Sequence, residues 1–93
     1  MNADERRAAL ADLLLEQHDA ECDLRLLARR VHVLGERLRA AGESMVRAME
    51  RRDGVPEDRL ESVDWESVPA TVAEYNATLD TLARIRDAIG NAG

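Results

Sequence analysis

An unbroken heptad repeat across the first half of the chain constrains the fold more than any other feature. Apolar or small residues recur in alternating steps of three and four at Leu10, Leu13, Gln17, Ala20, Leu24, Leu27, Val31, Leu34, Leu38, Ala41, Met45 and Ala48. That is six heptads in one register, with Gln17 the one polar member. A helix turns once in about 3.6 residues, so this spacing holds one side of a helix against a partner along its whole length. A first helix is therefore expected over about residues 3–52. Asn2 or Asp4 can cap its start, and Asp4 and Glu5 suit the positive end of the helix dipole. Arg51 and Arg52 suit the negative end, and Asp53-Gly54-Val55-Pro56 stops the helix.

With the seam as positions a and d, two further stripes carry information. The e positions read Leu14, Glu21, Ala28, Gly35, Gly42 and Met49. Glycine inside a helix costs about 1 kcal/mol relative to alanine, so Gly35 and Gly42 point to a closely approaching helix. The c positions include Leu26, Val33 and Ala40. They widen the apolar arc to about 200°, more than one partner helix covers. Two partners would cover it: the second helix of the same chain, and a helix of another chain.

Residues 53–66 read as a connector, in which Pro56-Glu57-Asp58-Arg59-Leu60 forms one helical turn with proline at its start. Trp65 is expected to cover the open end of the hairpin. The second helix is expected over about residues 67–89, capped by Asp64 or Ser67 and ended by Gly90. Its apolar face reads Val68, Val72, Tyr75, Leu79, Leu82, Ala83, Ile85 and Ile89. About 23 residues of helix reach roughly 35 Å, and about 50 reach roughly 75 Å. The second helix should thus fold back on Leu27 to Met49 and leave Leu10 to Leu27 without a partner. That exposed half is the reason to expect an antiparallel homodimer.

Size and composition agree. Ninety-three residues make one domain, 1–93, with a small core. Cys22 is the single cysteine, so no disulfide within the chain supports it. Oligomerisation is the remaining device. The net charge is −6, and residues 54–93 hold 3 Arg against 8 acids. An acidic second half argues against nucleic-acid binding by the chain as a whole. No apolar run is long enough to span a membrane, and the acidic N-terminus lacks a signal-peptide core, so the cytoplasm is the expected location.

Few residues suggest chemistry. His18 and Cys22 lie one turn apart, a spacing that suits a metal. His32 falls on the same stripe, but about 21 Å further along the helix, and Arg25 and Arg39 on that stripe repel a cation. Arg25, Arg29, Arg30, Arg37 and Arg39, with Glu36 the one acid among them, form a basic stretch that could meet phosphates. No aromatic residue among them stacks bases. Arg86 sits at the edge of the second helix's apolar face, where it could pair with Glu36, Glu43 or Glu50. No nucleophile motif or phosphate-binding loop is present.

Leu26-Leu27-Ala28-Arg29-Arg30 resembles a segment of the all-helical chorismate mutases. The resemblance stops there: Leu13 stands where those enzymes carry a second arginine, and the chain has no lysine.

The sequence therefore predicts an all-α protein, a long helix with a shorter antiparallel helix, assembling as a coiled-coil-like dimeric bundle. Leu10, Leu13, Leu24, Leu27, Val31, Leu34 and Leu38 form its core, and Leu26 and Val33 its contact between chains. The expected function is non-enzymatic protein–protein interaction or scaffolding through helix faces, without a cofactor or metal. The alternative is a nucleic-acid-associated regulator working through the five arginines.

Overall fold

The computed structural model describes residues 2–92. It is all-helical: α1 spans Ala3–Arg51, α2 spans Glu57–Glu61 and α3 spans Ser67–Ala92. α1 and α3 pack as an antiparallel hairpin, with α2 laid against α1. No helix among the described residues is long and apolar enough to cross a membrane.

Local chemistry sets the ends of α1. Asn2 closes a capping box: its side chain accepts from the Glu5 amide at 2.8 Å, and the Glu5 carboxylate accepts from the Asn2 amide. At the other end the stop lies at Arg52 instead of the glycine two residues later. Arg52 is left-handed, with φ 57°. Its amide donates to Met49 and the amide of Asp53 to Ala48, the double closure of a Schellman motif. α3 opens where the Asp64 carboxylate accepts from the Ser67 amide. It runs through Gly90 to Ala92, beyond the expected end, because Gly90 keeps a negative φ and terminates nothing.

The seam of α1 is the buried side over most of its length, although Met45 within it stays 43% exposed. Ala20, Leu27, Ala41 and Ala48 at d positions are buried, and Leu10, Leu13, Leu24, Val31, Leu34 and Leu38 are half-buried. A core cluster of Ala20, Leu82 and Ile85, with Leu24 and Ile89 packed on it, joins α1 to α3.

The placement of α3 corrects the expected one. Ser67 and Thr71 lie beside Leu34 and Arg37, Glu74 and Thr78 beside Asp23 and Arg30, and Ile85 against Ala20. α3 therefore covers the N-terminal half and middle of α1, and Leu10 to Leu27 is not left bare. The cause is the connector. It does not bend at the tip of α1 but runs back along it, so Asp53 and Pro56 lie beside Ala48, and Asp58 and Ser62 beside Ala41. Small alanines in the seam let it approach, and Val63 is buried to 3% exposure. Trp65 does not close the hairpin end: it stays 53% exposed, with its indole N–H donating to the Leu60 carbonyl at 3.0 Å.

Candidate functional site

The helix pair has two broad sides, and their residues follow from the register of α3. Its inward positions are Val68, Thr71, Tyr75, Thr78, Leu82, Ile85 and Ile89, again in steps of three and four. Val72 and Leu79, expected inside, are 41% and 39% exposed, and the two threonines take their places. Counting by side-chain hydrophobicity missed this. The Thr78 hydroxyl is satisfied locally, donating to the Glu74 carbonyl at 2.9 Å, so it enters the seam without stranding a polar group.

One side of the pair is marked by Glu21 and Arg86, which form an ion pair at 3.3 Å. Arg86 therefore meets neither Glu36, Glu43 nor Glu50. That side also carries Gly35 and Gly42. A methyl group added at either would have open space within 4 Å, so no helix of this chain approaches them.

The other side is marked by Leu26 and Val33, 55% and 46% exposed. Two open grooves run beside them between α1 and α3. One, of about 410 Å³, is lined by Asp23, Leu26, Leu27, Arg30, Glu74 and Thr78 among others. The next, of about 460 Å³, is lined by Val33, Leu34, Arg37 and Thr71 among others.

The five arginines do not form one surface. Arg29, Arg30 and Arg37 line the second groove. Arg25 and Arg39 share the stripe of His18 and His32, roughly 140° away around the helix from Arg30 and Arg37 at about 100° per residue. Arg39 is engaged by Glu36 and by Glu43. Arg25, Arg29, Arg30 and Arg37 have no ion partner among the described residues.

His18 and Cys22 are adjacent, with Nε2 and Sγ at 3.7 Å. No third His, Cys, Asp or Glu joins them in a metal-sized group among the described residues. Comparison with family models, with curated proteins and with solved structures finds no match to this chain.

Proposed function

We propose that this chain is a non-enzymatic interaction or scaffolding protein of the cytoplasm, working through its helix faces as a coiled-coil-like homodimer. One observation carries the reading: the surface is too large for the mass. The chain exposes 7164 Å² at 10.4 kDa, where a folded monomer of that mass exposes roughly 5,400 Å². Its radius of gyration is 20.9 Å, against about 12 Å for a compact chain of this length. The excess includes exposed Leu14, Leu15, Leu26, Val33, Met45, Val46 and Met49. Exposed apolar side chains of this kind are what association removes from water. Solution molar mass by light scattering, at low and high salt, tests the reading: a stable dimer supports it, and a folded monomer across the accessible concentrations sinks the homodimer.

A second reading draws on Arg25, Arg29, Arg30 and Arg37, which have no ion partner among the described residues. A nucleic-acid-associated regulator would bind duplex DNA with an affinity that falls steeply with salt. An empty gel shift at low salt would end it.

A further inference from the structure

We infer that the side carrying Leu26 and Val33 receives a second copy of this chain, with the two α1 helices antiparallel about a two-fold axis near Arg30. This rests on the interaction reading above and adds the face, the partner and the register.

The area comes first. The excess surface is roughly 1,800 Å² per chain over the expectation for a folded monomer. A stable complex needs only about 800 Å² per partner. Leu26 and Val33 are the exposed large apolar residues flanking the grooves. Knobs and grooves on the same side make that side self-complementary, which is what a two-fold contact requires.

Charge then selects the register. The net charge is −6, so two copies repel unless the contact is locally balanced. The charged residues that line the grooves, Asp23, Glu74, Arg29, Arg30 and Arg37, sum to +1 and so locally offset that negative background. Asp23 lies seven residues before Arg30, and Arg37 seven after. Leu26 lies four before, and Val33 three after. A two-fold near Arg30 therefore sets Leu26 against the partner copy's valine, and Asp23 against its second groove arginine. Neither Asp23 nor Arg37 has an ion partner in its own chain among the described residues. The like charges of the two copies of Arg30 are offset by Glu74, which shares its groove.

The connector excludes the parallel alternative. Residues 53–66 hold six acids and one arginine. Parallel copies would set these segments side by side. The antiparallel register holds them several Debye lengths apart, about 8 Å each at physiological salt.

A charge swap tests this register. Asp23→Arg and Arg37→Asp, made singly in the full chain, should each raise the dimer dissociation constant at least about tenfold, and the double variant should return it near the wild-type value. Leu26→Ser with Val33→Ser should give a monomer of unchanged helicity by circular dichroism, since both side chains are exposed in the single chain. Val72→Ser with Leu79→Ser, on the other side, should leave the dimer intact. A wild-type dimer that ignores the swaps, or whose double variant stays as weak as the singles, overturns this arrangement and leaves the homodimer standing. A wild type that never associates removes both.

Discussion

Arg86 reaches Glu21 at 3.3 Å, joining residues 65 apart in the chain. This pair marks where α3 sits, because it joins the last third of α3 to the N-terminal half of α1. Its energy is modest. The two side chains are 58% and 34% exposed, so water and salt screen the attraction, and such pairs are worth about 0–1 kcal/mol. Glu21→Gln and Arg86→Gln should each lower stability by no more than about 1 kcal/mol. A double-mutant cycle in urea should return a coupling that shrinks at high salt. A large, salt-independent coupling would mean that the pair is buried in an assembly.

Arg52 ends α1 in a left-handed conformation, φ 57°, without being glycine. For residues with a Cβ this region costs roughly 1–2 kcal/mol. Arg52→Gly keeps both backbone hydrogen bonds of the Schellman motif and removes that cost. The glycine variant gives back part of the gain through its freer unfolded chain. The net expectation is a stabilisation of about 0.5–1 kcal/mol, read as a higher melting temperature in differential scanning calorimetry. A loss of stability would show that the arginine side chain contributes more than its backbone costs.

Gly35 and Gly42 lie inside α1 with open space where a methyl group would go. Alanine at either position should therefore stabilise the fold by about 0.5–1 kcal/mol. Neither stripe position belongs to the Leu26 and Val33 side, so association should not weaken. If alanine instead weakens self-association, another helix does approach this stripe and the contact between copies lies there.

The heptad repeat made α1 legible to within a residue at each end, because six repeats of one spacing leave little room for another structure. The seam was legible from the same spacing except at Met45, which the spacing places inside and which is 43% exposed. The position of α3 was not. Helix lengths alone say that a shorter helix covers part of a longer one, not which part. That depended on Val63 and on the alanines at 41 and 48, which let the connector take the last turns of α1 for itself. Val63 gave no signal, being one valine in an acidic loop. Side-chain hydrophobicity favours Val72 and Leu79 for the inward face, whereas the three-four spacing places Thr71 and Thr78 there. Applied strictly, the spacing that located α1 would have found them. Of the candidate site, Leu26 and Val33 were readable as an excess of apolar surface off the seam. The division of the arginines between two sides followed from their heptad positions, once the α3 side was known.

Leu79 and Leu82 stand three residues apart on α3 with opposite surroundings. Leu82 is 3% exposed in the cluster with Ala20 and Ile85, while Leu79 is 39% exposed. Truncating a buried leucine removes its transfer energy and leaves a cavity, together about 2–5 kcal/mol. Domains of this kind hold only about 5–15 kcal/mol in all. Leu82→Ala should therefore take a large share of the stability, and Leu79→Ala less than about 1 kcal/mol. Urea unfolding followed by helicity at several protein concentrations measures both. If association contributes to stability, both midpoints rise with concentration, but the gap between the variants should persist. Equal losses would mean that Leu79 is buried in the assembled protein, which would move the contact between copies to the Val72 and Leu79 side.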